Sequence, residues 1–364
     1  MEEACAGQDV LPVSPGARVS VLRYLVSDSA VLREHWEQAP FVCTDPDDLG
    51  EIFALGTVER LIHSGTLPLP CIRLFRDGAA VPVGGLGRPA ERGASHRERR
   101  VDGAAVLAQI TAGATLVVEE LQTYCPPLAT FAASLAAETG CRTYCAAFLT
   151  PPRSRGVAPH YDTASVFIRQ FHGSKRWRVA QPVTRWPARE WSGVPVETEV
   201  VLEVELRAGQ CLYVPRGFIH SGTATGAASA HLSVGLTPPT WASVLRRLTD
   251  AALADEPLRE ALPYGFAGME PAKLQALLAE RLTLAIGRLE RLASGPEAAQ
   301  ALAKASSPPS AAPAPEAGSL RSALTASPGD PGKPVKSGER DLLDCSPAKT
   351  DTDLDSNARA GRPG

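Results

Sequence analysis

Residues 113–240 break into short apolar runs, "ATLVVEEL", "TYCAAFLTP", "ASVFIRQFHG", "RWRVAQP", "VVLEVELRAGQCLYVP" and "AHLSVGLTP", separated by glycine, proline and small polar residues. Only "LATFAASLAAETG" among them reads as a helix. Many short strands at close spacing restrict this stretch to an all-β sandwich or barrel.

The flanks differ from this centre. Residues 1–112 mix helical segments, "VSVLRYLVSDSAVLREHWEQ" and "DDLGEIFALGTVERLIHSG", with a glycine-rich loop over 77–94, and read as an α/β elaboration. Residues 241–295 read as helical: "WASVLRRLTDAALADE", a break at "YGFAG", then "PAKLQALLAERLTLAIGRLERLA". In the last of these Leu274, Leu277, Leu278, Leu282, Ala285, Leu289 and Leu292 recur at three- and four-residue steps, one apolar stripe that calls for a partner surface. Residues 296–364 are rich in proline, alanine and serine and carry no aromatic residue, so a disordered tail is expected, with "ERDLLDCSP" as its one apolar island.

Composition bounds the function. A hydrophobic content of 44% suffices for a sizeable core, and a net charge of −3 gives no global electrostatic case for direct nucleic-acid binding or for a membrane surface. The basic run "RGASHRERR" reads as a solvated loop. Eight cysteines include no C-x-x-C pair, and several stand in apolar surroundings where a thiol packs as a small hydrophobe. The N-terminus lacks the apolar core of a signal peptide and no apolar stretch approaches spanning length, so a cytoplasmic location is expected.

The chemistry concentrates in "GVAPHYDTASVFIRQFHGSKRW" and "AGQCLYVPRGFIHSG". On an extended strand His160 and Asp162 share a face, and His220 opens a strand after a Pro-Arg-Gly turn. Two histidines and a carboxylate are the facial set that holds Fe(II) with positions open for a cosubstrate and O2. Zinc is the runner-up metal for such donors. A 2-oxo acid chelating iron carries a distal carboxylate that needs a fixed cation, for which Lys175 is the candidate. The alternative is that Lys175 joins Arg176 and Arg178 on a solvated edge. His231 is either an active-site residue or a hydrogen-bonded core histidine; Trp177 and Trp241 are expected in the core.

"PHYDTASVFIRQFHGSKRWRV", "LRAGQCLYVPRGFIHSGTA" and "SAHLSVGL", with "LREHWEQAPFVCT", "GATLVVEEL" and "FLTPP" before them, resemble the JmjC-type cupins of the ribosomal oxygenase group, over roughly residues 20–250. The resemblance implies a mainly β, double-stranded β-helix (jelly-roll, cupin) fold with the N-terminal elaboration and C-terminal helical segment described above, and a homodimer built on 241–294. It also implies His160, Asp162 and His220 as iron ligands, Lys175 as the cation for 2-oxoglutarate, and Phe148, Ser229 and His231 as pocket residues. Many relatives carry an Asn and a Tyr where Ala146 and Phe148 stand here, and no winged-helix domain is visible after the barrel. The implied activity is Fe(II)- and 2-oxoglutarate-dependent hydroxylation of an amino-acid side chain in a protein or peptide, such as Arg or His of a ribosomal protein. Rival readings are a tailoring hydroxylase of a peptide natural product or free amino acid, a histone demethylase, and a regulatory cupin that holds metal without turnover.

Overall fold

The computed structural model describes residues 20–88, 99–189 and 198–306. Most of the basic run at 92–100, the N-terminal 19 residues and the tail from 307, including its apolar island, lie outside the described residues.

The strands are β1 (Phe41–Cys43), β2 (Ile72–Arg76), β3 (Ala79–Val81), β4 (Gly87–Arg88), β5 (Arg100–Val101), β6 (Thr115–Val118), β7 (Arg142–Thr150), β8 (Ser165–His172), β9 (Ser174–Ala180), β10 (Val200–Arg207), β11 (Cys211–Val214), β12 (Ile219–Ala224) and β13 (Ser229–Thr237). A major sheet has the order β1-β11-β8-β13-β7-β6-β2-β3, and a minor sheet the order β10-β9-β12. Every pair in both is antiparallel. The two form the double-stranded β-helix of a cupin. Residues before 113 supply β1, β2 and β3 to the major sheet, so the elaboration lengthens the barrel wall.

Side-chain alternation explains why the central runs are apolar on both faces. On β8, Val166 and Ile168 pack into the barrel with Trp177, Val179, Leu212 and Val214, while Phe167 points to a second core under the helices. β11 divides the same way, with Cys211 and Tyr213 on the outer side. The minor sheet has one solvated face: along β9 Lys175, Trp177 and Val179 are buried while Arg176 and Arg178 are exposed. After the short helices α3 (Gly103–Thr111) and α4 (Leu121–Tyr124), the helix α5 (Pro126–Thr139) covers the outer face through Leu128, Phe131 and Leu135, with Pro126 at its first turn and Gly140 closing it at φ 67°. A buried Arg169 ties the N-terminal region down, donating to the carbonyls of Tyr24 at 3.1 Å and Asp47 at 2.9 Å.

Several expectations are corrected. The first long helical segment is a 3-10 turn, Val21–Tyr24, followed by α1 (Ser29–His35), because Asp28 caps a new helix by accepting from the Ala30 amide at 2.7 Å. The next helix, α2, spans only Leu55–His63; before it, Asp48 accepts from the Gly50 amide in a side-chain turn that competes with helix. The expected disordered tail starts too early: α7 (Pro271–Ser294) is followed by a further helix, α8 (Pro296–Ser306), which packs on α6 (Trp241–Ala252) and α7. "PEAAQALAKA" is a proline start followed by strong helix formers, and the dense prolines begin only at 308. Trp241 is 77% exposed at the first turn of α6 and contributes nothing to the core. The leucine stripe of α7 is also divided. Leu289 and Leu292 pack on Val244 and Leu248 of α6, whereas Leu278, Leu282 and Ile286 are exposed. Among the described residues no helix is long and apolar enough to cross a membrane.

Candidate metal centre

His160 and Asp162 do not lie on a strand. Pro159 has no amide to give to a ladder, and the segment meets β12 at two isolated bridges, Arg155 with Thr223 and His160 with His220 at the start of the strand. The His160 amide donates to the His220 carbonyl at 3.2 Å and the His220 amide to the His160 carbonyl at 2.8 Å. Asp162 is fixed separately, its carbonyl accepting from the Gly217 amide at 3.0 Å. Gly217 has φ +87°, and a Cβ there would stand 2.8 Å from the Thr184 carbonyl, so the Pro-Arg-Gly turn requires glycine. Arg216 in that turn is held by a two-pronged ion pair to Glu37, at 2.6 and 2.7 Å.

These ties bring the donors together. His160 Nε2 is 3.8 Å from one Asp162 oxygen and His220 Nε2 is 3.6 Å from the other, and all three donor atoms lie within 4.8 Å of one another. Each imidazole spends its Nδ1–H on a backbone carbonyl, His160 on Ala158 at 2.8 Å and His220 on Phe218 at 3.2 Å. A carbonyl accepts only, so each Nδ1 carries a proton and each Nε2 is the atom turned toward Asp162. Burial, reinforced by His160, pushes the His220 pKa down to about 4, which keeps its lone pair available at neutral pH. Two imidazoles and a carboxylate fit Fe(II), and all three line a cavity.

That cavity has a volume of about 560 Å³ and lies between the two sheets. Lys175 is at its floor, 2% exposed. Its ammonium donates to Thr150 Oγ1 at 3.1 Å and stands 5.1 Å from the centre of the Trp177 ring. Burial lowers its pKa from 10.5 to about 7, with no carboxylate offsetting the cost. The solvated-edge alternative therefore holds for Arg176 and Arg178 but not for Lys175. Two glycines make room here: a Cβ on Gly156 would sit 3.0 Å from Lys175 Nζ, and one on Gly222 would sit 2.7 Å from its Cε.

Of the other pocket candidates, Phe148 and His231 line the cavity, stacked at 4.8 Å and 8° between planes. Ser229 is not among the lining residues; its hydroxyl accepts from Gln170 Nε2 at 2.8 Å, where the β13–β8 ladder slips by a residue. Sequence reasoning missed Thr150, although it continues the inward row Ala146, Phe148 of β7. It also missed Tyr144, which lines the cavity with its ring so close over Gly235 that a Cβ there would fall 2.1 Å from it.

Residues 122–244 match the family model of the JmjC domain, in keeping with the cupin fold and the donor set. The chain is similar to ribosomal oxygenase 1 of Gallus gallus, 29% identical over 259 residues that cover 67% of this chain and 41% of that one. It is also similar to the bifunctional lysine-specific demethylase and histidyl-hydroxylase NO66 of Drosophila pseudoobscura pseudoobscura, 26% identical over 64% of this chain and 25% of that one. It thus spans less than half the length of either. Among solved structures, E. coli ycfD aligns with a TM-score of 0.48 at 20% identity, covering 75% of this chain and 70% of that one.

Proposed function

We propose that this chain is an Fe(II)- and 2-oxoglutarate-dependent oxygenase that hydroxylates an amino-acid side chain, Arg or His, of a ribosomal protein. The observation that carries the reading is one cavity with a His-Asp-His donor set on its wall and a buried lysine without a carboxylate partner on its floor. When bound, iron with 2-oxoglutarate and O2 supplies the oxidising power to convert a C–H bond to C–OH while the oxo acid becomes succinate and CO2. The chain's residues do the rest. His160, Asp162 and His220 would hold the ion, and Lys175 with Thr150 would anchor the distal carboxylate. Val166, Ile168, Phe148 and Trp177 give that end of the cavity an apolar wall. The names of the relatives support the side-chain and ribosomal parts of the reading.

The test is mass spectrometry of ribosomal proteins incubated with the chain, Fe(II), 2-oxoglutarate and O2. One oxygen gained on an Arg or His residue, matched by succinate and absent without 2-oxoglutarate, is the expected result. Succinate formation with no modified residue would remove the protein substrate from the reading.

The proposal includes a cytoplasmic homodimer without direct nucleic-acid contact. The cysteines among the described residues are free thiols, most of them buried, which suits a reducing compartment. The net charge of −3 offers no general attraction for phosphates. Leu278, Leu282 and Ile286 recur at four-residue steps on one exposed side of α7 and suit a second copy of the chain. Light scattering is expected to give twice the chain mass for wild type and the single chain mass for Leu282→Glu; a monomeric wild type at micromolar concentration would overturn the dimer.

A further inference from the structure

His231 is the one buried titratable group of the cavity that the reading above leaves without a task. It is 1% exposed and lines the cavity, stacked face to face on Phe148 and met edge-on by Trp177 at 5.2 Å. Its Nδ1 is sealed in the protein with no hydrogen-bond partner. Buried N–H groups without an acceptor are rarer than buried acceptors without a donor. This favours the tautomer with Nδ1 bare and the proton on Nε2. Burial and the charge of Lys175 hold the ring neutral, its pKa well below the usual imidazole value.

Position selects the ligand. His231 pairs across the sheet with Phe148, and Thr150, which holds Lys175, is the next inward residue on the same strand. Trp177, whose ring centre lies 5.2 Å from that of His231, also stands 5.1 Å from the Lys175 ammonium. The imidazole therefore belongs to the lysine end of the cavity, where the anion is received, rather than to the metal end.

Resting on the 2-oxoglutarate reading, we infer that His231 is a binding residue for that cosubstrate: its Nε2–H donates to a carboxylate oxygen beside Lys175, and Phe148 and Trp177 keep the ring aimed. A neutral imidazole in this role gives direction without adding a second buried charge.

The test is calorimetry of 2-oxoglutarate binding to the Zn(II)-loaded full chain, which needs no turnover. His231→Phe keeps the stack on Phe148 and removes the donor, and it is expected to bind about tenfold or more weakly, the loss that follows from one hydrogen bond to a charged group. His231→Gln, which restores an N–H near the Nε2 position, is expected to recover part of the affinity, with Zn(II) affinity unchanged in both variants. In wild type labelled with 15N-histidine, a His231 Nε2–H resonance is expected to shift downfield on adding 2-oxoglutarate, which tests the contact without any substitution. Full affinity in His231→Phe together with loss of binding in Lys175→Ala would overturn this inference and leave the 2-oxoglutarate reading standing. An unmoved His231 resonance would also overturn it. A wild type that binds no 2-oxoglutarate would overturn both.

Discussion

Lys175→Ala is expected to bind 2-oxoglutarate about 30-fold or more weakly than wild type, because truncating one member of a buried charge pair costs about 2–5 kcal/mol. The structure makes the lysine an unmatched cation: it is buried, it has one hydroxyl partner, and burial alone moves its pKa to about 7. An arriving carboxylate would supply the missing charge. Iron affinity is expected to stay unchanged, since Lys175 touches Thr150 and Trp177 and no metal donor. Lys175→Arg should keep part of the binding, as the charge persists with a different reach. The same pKa gives a pH dependence of definite sign. Below pH 7 the free protein already carries the ammonium, so binding takes up no proton. Above pH 7 the lysine is neutral and must gain a proton as the carboxylate binds, so affinity falls about tenfold per pH unit. Calorimetry in buffers of different ionisation enthalpy measures that proton. Wild-type affinity in Lys175→Ala, or an affinity that rises above pH 7, would place the anion elsewhere.

Replacing a metal donor is expected to have the largest effect. His160→Ala and His220→Ala should each lower Fe(II) affinity about 100-fold or more, beyond the ~10–100-fold that loss of an outer-shell partner causes. Anaerobic titration of the metal-free protein with Fe(II) and 2-oxoglutarate should give a weak visible charge-transfer band in wild type. That band should be missing in both variants and should disappear from wild type on adding a chelator. An undiminished band in His160→Ala would show that the ion is held by other residues. Because His220 is buried and His160 is half-exposed, His160→Ala is the cleaner variant, with less risk to the fold.

What could be read from the sequence follows from how local each feature is. The barrel strands announce themselves because both faces of the major sheet are covered, which leaves uninterrupted apolar runs such as Cys211–Val214 bounded by turns. The donor set could be read because His160 and Asp162 are two residues apart and His220 follows a turn whose glycine is obligatory. The backbone path between them could not. The pair was expected on a strand, and Pro159 leaves it on a loop with a single bridge. The entry of β2 and β3 into the major sheet depends on pairing with β6 some forty residues later, for which short strands carry no local mark. The tail was judged by its average composition, which hid the helix-forming alanines of 296–306 in front of the prolines. Thr150 and the direction of Ser229 depend on register, and the slip between Ala230 and His231 has no signature in residue type.

Two of the three metal donors belong to no ladder. His160 hangs on one reciprocal pair of backbone hydrogen bonds to His220, and Asp162 on the amide of Gly217. The stretch before them is tied to β12 at Ser154 and Gly156 and by the Arg155–Thr223 bridge, so the donors end an interrupted edge that opens at smaller cost than the continuous ladders behind it. An ion drawing His160, Asp162 and His220 to one point acts on this segment as a rivet, adding its binding free energy to the closure of that wall. Metal loss would then loosen that wall, and a chain starved of iron would be expected to relax at the cavity before it unfolds.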